Sequence, residues 1–156
     1  SSRGLGDVYK RQNIMAHEET TAPEIYEQMD GDLDAFVAGV GSGGTLTGVG
    51  RFFQKVSPKT SIVAADPVGS IIKDAVKTGT FKYDGGSWLV EGIGEDYIPT
   101  NCDLNVITDA ISVSDKEAFE AIQLLLKKEG ILAGSSAGTL FAAALKWCKE
   151  QKEQKS

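Results

Sequence analysis

The feature that most constrains this chain is the run from Asp34 to Pro67. Asp34 to Val40 (DAFVAGV) is short and mostly apolar, and it ends in glycines. A run of that length and character predicts a strand buried on both faces of a parallel sheet. Gly41-Ser42-Gly43-Gly44-Thr45 follows as a turn of small residues. A helix is expected from about Gly44 to Val56, stopping before Pro58. Ser61 to Ala65 (SIVAA) is a second buried strand, closed by Asp66-Pro67. Strand, glycine turn, helix and strand form a βαβ unit, whose crossover is expected to be right-handed.

The turn has a chemical reading. Glycines let backbone N–H groups approach an anion closely, and the helix start adds unpaired donors and a positive partial charge. Gly41, Ser42, Gly43, Gly44 and Thr45 are therefore a candidate phosphate cradle, with the Thr45 hydroxyl as an added donor. Spacing alone leaves the phosphate open. Gly39, Gly41 and Gly44 match G-x-G-x-x-G, and Asp66 ends the next strand where a ribose-binding acid would sit. A dinucleotide domain is thus a rival, and a tight turn without ligand is the plain alternative. A Walker loop is excluded, because no lysine follows the glycines.

The rest of the chain extends the α/β pattern. Thr21-Ala-Pro-Glu24 has the spacing of a capping box, which predicts a short helix to about Met29, then a turn at Asp30-Gly31-Asp32. Residues Val68 to Asp103 are glycine-rich and expected to be irregular. Leu104 to Thr108 and Ala110 to Val113 read as short strands. Ser114 and Glu117 form a second capping box. The helix it opens carries Ala118, Phe119, Ile122, Leu125 and Leu126 on one face, with Lys127 and Lys128 at its end and Gly130 to close it. Ile131 to Ala133 is short and extended. Gly134-Ser-Ser-Ala-Gly138 is a second small-residue turn, where Ser135 or Ser136 either caps the last helix or faces a ligand. That helix is expected to bury Ala137, Leu140, Phe141, Ala144, Leu145 and Cys148. The fold class is α/β with a mainly parallel sheet between helical layers.

Composition removes other classes. A net charge of −6 over 156 residues argues against nucleic acid as a partner. No apolar run is long enough to span a bilayer as a helix. Two cysteines, Cys102 and Cys148, make neither a disulfide framework nor a zinc site, and a single histidine, His17, makes a histidine-based metal site improbable. A reduced, cytoplasmic setting is expected. His17 is too distant in sequence from the serines to suggest a catalytic triad, and no G-x-S-x-G elbow is present. Ser2 to Gln12 (SRGLGDVYKRQ) resembles the translation of a sequencing-library adapter, so residues 1–12 are set apart as a scar, 13–150 as a partial catalytic domain and 151–156 as a polar tail.

Three segments in order carry a family resemblance: GVGSGGTLTG (Gly39 to Gly48), VEGIGEDYIPTNCD (Val90 to Asp103) and KEGILAGSSAGT (Lys128 to Thr139). Together they resemble the C-terminal part of the catalytic core of the cystathionine β-synthase and cysteine synthase family, fold-type II enzymes dependent on pyridoxal 5′-phosphate. The resemblance implies a three-layer fold, a cofactor phosphate held by Gly41 to Thr45, and a pyridine nitrogen bonded by Ser136. Gly92 and Gly94 would line the side where amino-acid substrates enter. Glu91, where cysteine synthases commonly carry Gln, resembles the cystathionine β-synthase branch. Glu95, where animal members often carry Tyr, resembles bacterial members and leaves homocysteine and sulfide open as nucleophiles. The family also implies a homodimer. No residue matches the family's Schiff-base lysine or its Asn-containing loop, and Lys10 lies in the apparent scar, so no catalytic residue is assigned and the chain by itself is expected to be inactive.

Overall fold

The computed structural model describes residues 11–154. Three strands form one parallel sheet in the order β1-β2-β3: β1 (Ala35–Gly39), β2 (Ser61–Pro67) and β3 (Asp109–Val113). Register places Ala35 against Ser61 and Val63 against Asp109. Side chains alternate along each strand, so Ile62 and Ala64 enter one core and Val63 and Ala65 the other. Two helical layers cover these faces. Helices α1 (residues 11–16), α2 (Ala22–Gln28), α3 (Gly44–Val56) and α4 (Ile72–Thr78) lie on the first. Helices α5 (Asp115–Glu129) and α6 (Ser135–Gln154) lie on the second. The expected three-layer α/β architecture is therefore present, with α3 spanning the residues read from the sequence.

The first layer is anchored by aromatic contacts. Tyr26 of α2 meets Phe52 and Phe53 of α3 edge-on, at ring-centroid distances of 5.9 and 6.0 Å. Phe53 is fully buried, a contribution of about 2–3 kcal/mol from apolar burial. Small residues replace bulk where backbones come closest. A Cβ on Gly48 would lie 2.5 Å from the Ile14 carbonyl oxygen and 2.7 Å from the His17 Cβ, and one on Gly44 would overlap the Asn13 side chain. Gly44 and Gly48 share a face of α3, so α1 beds directly on it.

Several local expectations are corrected. Thr21 caps nothing: it has helical dihedrals and its side chain accepts no cap bond. The helix instead begins by residue 11 and reaches Gln28 through a π turn at His17–Thr21. Pro23 lacks an N–H and crowds the carbonyl four residues back, and a wider turn upstream accommodates both. Residues 11 and 12, read as part of a scar, are helical, and residues 1–10, including Lys10, lie outside the described residues. The segment after Val68 contains α4, because the Asp66 carboxylate accepts the Lys73 N–H at 2.8 Å and Gly79 ends the helix in the left-handed region. Asp66 and Pro67 do not close β2 but belong to it. Leu104 to Thr108 is not a strand. Asp103 accepts from the Asn105 backbone, which winds Leu104–Val106 into a 3-10 turn.

The second layer differs most from expectation. α6 buries Gly138, Thr139, Ala142 and Ala143, while Leu145 and Cys148 are exposed. A Cβ on Gly138 would overlap the Ala118 carbonyl of α5. The small face thus governs how α6 docks, since it lets the two helices approach more closely than Leu or Phe would. On α5, Ala118 and Ala121 are buried, and Phe119 and Leu126 are exposed. Its termini behave as read: Ser114 and Glu117 make a reciprocal capping box, and Gly130 closes the helix with φ 69°.

Candidate functional site

Parallel strands end together, so the segments following β1 and β3 begin at one edge of the sheet. The turn after β1 is the first. Gly43 stands at the N-cap of α3 with φ 85°, a conformation that favours glycine. No side chain caps this helix, and its first turn holds no acidic residue. Thr47 makes the first helical bond, to the Gly43 carbonyl at 3.1 Å. The amides of residues 42–46 have no acceptor among the described residues. The turn therefore offers a cluster of donors at the positive end of a helix dipole.

The turn is held from behind by the segment before β3. A Cβ on Gly43 would stand 2.6 Å from the Cys102 Cβ. Buried Thr47 donates to the Asn101 carbonyl at 2.6 Å and accepts from the Asp103 N–H at 2.9 Å. Arg51 pairs with Asp103 at 3.1 Å, which with the Asn105 bonds outweighs burial and lowers that carboxyl. Burial, then the Asp103 charge, pushes the Cys102 thiol up to about 11, so it is a packing group here and not a nucleophile.

Residues 91–94 connect the three predicted segments. A Cβ on Gly41 would meet the Gly92 carbonyl oxygen at 2.6 Å. Gly94 N–H donates to the Val40 carbonyl at 2.9 Å. The Glu91 N–H donates to Ser135 Oγ at 3.2 Å, tying the same segment to the start of α6. Gly92 and Gly94 both have positive φ, 81° and 88°, and Trp88 packs on Gly94 while donating to the Ile93 carbonyl at 3.1 Å. The structure thus brings Gly41, Gly92, Gly94 and Ser135 into one contact network.

Among the described residues, neither serine makes the cap bond that sequence offered as one of two roles. Ser135 fixes the loop. Ser136, half-buried in the first turn of α6, makes no side-chain hydrogen bond within the described residues. Its hydroxyl is thus available to a ligand atom. At the turn Ser42 is exposed and Thr45 is half-buried.

Asp66 does not do what a dinucleotide site requires. It is 1% exposed, and its carboxylate is spent on the Lys73 amide and Ser70. Burial, the larger effect, raises its pKa despite those bonds. Glu95 is tied by its backbone to Ser70, with its carboxyl raised by burial and then by Asp96. A cavity of about 610 Å3 lies elsewhere, beside β3 among Lys73, Lys77, Asp109, Ser112 and Lys146, and shares no residue with these segments. Among the described residues no cluster of metal-ligating side chains is gathered, and no helix is long and apolar enough to cross a membrane.

One contributor was missed from sequence. His17 Nε2 lies 3.3 Å from Thr45 Oγ1, and its Nδ1 lies 3.0 Å from Thr21 Oγ1. His17 meets the cradle and neither serine. The signal was the Gly44/Gly48 pair, which marks a face where another helix packs closely.

Comparison with known proteins shows the family. The family model for "Pyridoxal-phosphate dependent enzyme" matches residues 5–156, a span that starts inside the stretch read as adapter-derived. The chain is 43% identical over 143 residues to cystathionine beta-synthase of Apis mellifera, covering 92% of this chain and 28% of that protein. It is 44% identical over 137 residues to cysteine synthase A of Escherichia coli K12, covering 86% of this chain and 42% of that protein. Cystathionine beta-synthase of Oryctolagus cuniculus is 40% identical over 148 residues, covering 94% of this chain and 26% of that protein. The chain spans less than half the length of these curated relatives.

Proposed function

We propose, from the premise that this chain belongs to the family of pyridoxal-phosphate-dependent enzymes, that it forms the phosphate-binding and ring-binding side of a β-replacement lyase site. The observation that carries this reading is the convergence of the uncapped Gly41–Thr45 turn, the Gly92–Gly94 segment and the start of α6 at Ser135–Ser136. The donors of the turn suit a phosphate dianion. The Ser136 hydroxyl suits a neutral pyridine nitrogen, and a serine there leaves that nitrogen largely unprotonated. The bound cofactor supplies a moderate electron sink, suited to β-elimination and β-replacement on amino acids. The backbone of Gly92 and Gly94, without side chains, leaves room for the amino acid and the incoming nucleophile.

The reaction we favour is condensation of serine with homocysteine to cystathionine. Glu91 in the Glu-Gly-Ile-Gly segment supports it. Sulfide as nucleophile, the cysteine synthase reaction, is the second reading, since similarity to the two kinds of relative is nearly equal, at 43% and 44% identity. These residues alone are read as inactive. Among the described residues we read no counterpart of the covalent lysine that the family uses, and no side chain at the site that stands in as a base for the α-proton. The working protein is read as a cytoplasmic homodimer.

Tryptophan fluorescence tests the ligand. Trp88 packs on Gly94, whereas Trp147 lines a cavity at the far edge with Asp34 and Lys59. In a Trp147→Phe variant, pyridoxal 5′-phosphate should quench Trp88 saturably and NADH should not. Quenching by NADH alone would overturn the assignment. Supplying homocysteine or sulfide with serine to the intact parent protein separates the two nucleophiles.

A further inference from the structure

We infer that His17 is a positioning residue of the phosphate cradle, acting through Thr45, and that its Nε2 carries a proton whenever the anion is bound. This rests on the cradle reading. Helix α1 and the π turn bring the ring there. Gly48 lets the His17 backbone approach α3, and the widened turn at His17–Thr21 sets the ring between two threonine hydroxyls. Nε2 is 3.3 Å from Thr45 Oγ1 and Nδ1 is 3.0 Å from Thr21 Oγ1.

The proton count decides the arrangement. Thr45 has one hydroxyl hydrogen. If Nε2 accepts it, Thr45 turns only lone pairs toward a phosphate oxygen, which is repulsive. If Nε2–H donates to Thr45 Oγ1, the hydroxyl hydrogen is left to point at the anion. A neutral ring then has a bare Nδ1, which accepts from Thr21 O–H, so all three groups are satisfied in one direction. A doubly protonated ring also works, with Thr21 Oγ1 accepting. Only the tautomer with a bare Nε2 conflicts with a bound phosphate. The line Thr21, His17, Thr45 therefore delivers a hydroxyl donor that the backbone amides alone do not supply.

His17 is the sole histidine of the chain, so histidine labelled with 15N reports one ring. The probe is 4′-deoxypyridoxine 5′-phosphate, which lacks the aldehyde and forms no adducts with surface lysines. Cradle amides at Gly43 to Thr45 should shift on titration, and the bound ring should show a protonated Nε2. His17→Leu should weaken binding about tenfold, and Thr45→Val by a similar factor, the effect of losing one hydrogen bond to a charged group. The double variant should be no weaker than either single one. His17→Gln, which keeps an N–H near Thr45, should bind within about threefold of the parent.

A bound ring with bare Nε2, additive losses in the double variant, or equal binding by His17→Leu would each overturn the inference while leaving the cradle intact. Silent cradle amides would instead overturn the cradle reading, and this inference with it.

Discussion

Helices α3 and α5 both follow parallel strands and both start at the same edge of the sheet, yet their first turns are opposites. α5 closes itself. Ser114 Oγ accepts from the Glu117 N–H at 3.3 Å, the Glu117 carboxylate accepts from the Ser114 N–H at 2.8 Å, and Asp115 and Glu117 put negative charge at the positive end of the dipole. α3 starts on a left-handed glycine, with no side-chain cap and no acid in the first turn. Its neighbours satisfy its flanks through Cys102, Thr47 and His17 but leave its leading amides open. A helix whose N-terminus is boxed and already carries acid has fewer free donors and repels an anion. One left open is supported by packing instead, and its free donors suit an anion.

The largest expected effect comes from breaking the open end. Gly43→Ala forces a side chain into φ 85° and against Cys102. It should cost about 2–3 kcal/mol in urea unfolding and abolish binding of a pyridoxine phosphate. Unchanged binding would show that the turn is not the anion site. Next, making α3 resemble α5 should exchange function for stability. Thr45→Asp adds a first-turn carboxylate, which should stabilise the helix by about 0.5 kcal/mol while repelling phosphate, so the thermal midpoint rises as binding is lost. A rise in both would contradict the comparison.

The closed end should respond only in stability. Ser114→Ala should lower unfolding free energy by about 1 kcal/mol and leave phosphate binding unaltered. The smallest effect is a pH dependence. The Lys146 hydrogen bond, followed by the Ser114 backbone bond, lowers Glu117 from 4.5 to about 2. A carboxyl lowered in the folded state adds stability above its unfolded value, and this is lost as pH falls through the folded value. The pair is partly exposed, so the loss between about pH 4.5 and 2 should be modest, and Glu117→Gln should flatten it in that window. A variant curve parallel to the parent's would remove Glu117 from the account.

Legibility followed the same division. Local rules sufficed wherever a residue acts on its own segment. The Ser114/Glu117 box, the Gly130 stop, the extent of α3 and the parallel βαβ unit could all be read from spacing. They failed where a distant partner changed the outcome. Thr21 and Glu24 have the spacing of a cap, but Pro23 and the packing of α1 on α3 draw the helix back to residue 11. Leu104 and Val106 alternate like a strand, but Asp103 bends them into a turn whose Val106 fills the space beside Gly50. The larger apolar residues of α6 suggested its buried face, but Gly138 against Ala118 sets the docking.

The sequence by itself determined the local form of the turn: glycines between a buried strand and a helix, with no acid or lysine among them, give a helix start with open backbone donors, which we read as a phosphate cradle. The order of three small-residue segments determined the family. Tertiary structure alone decided which groups complete that site, because these contacts join residues far apart in the chain. It set Gly92 against Gly41, assigned Ser135 to the loop and left Ser136 open, turned the Asp66 carboxylate of β2 onto the α4 amide of Lys73, and laid His17 beside Thr45. Spacing encodes what a segment can do with its own backbone, and only packing decides which side chain from elsewhere comes within hydrogen-bond reach.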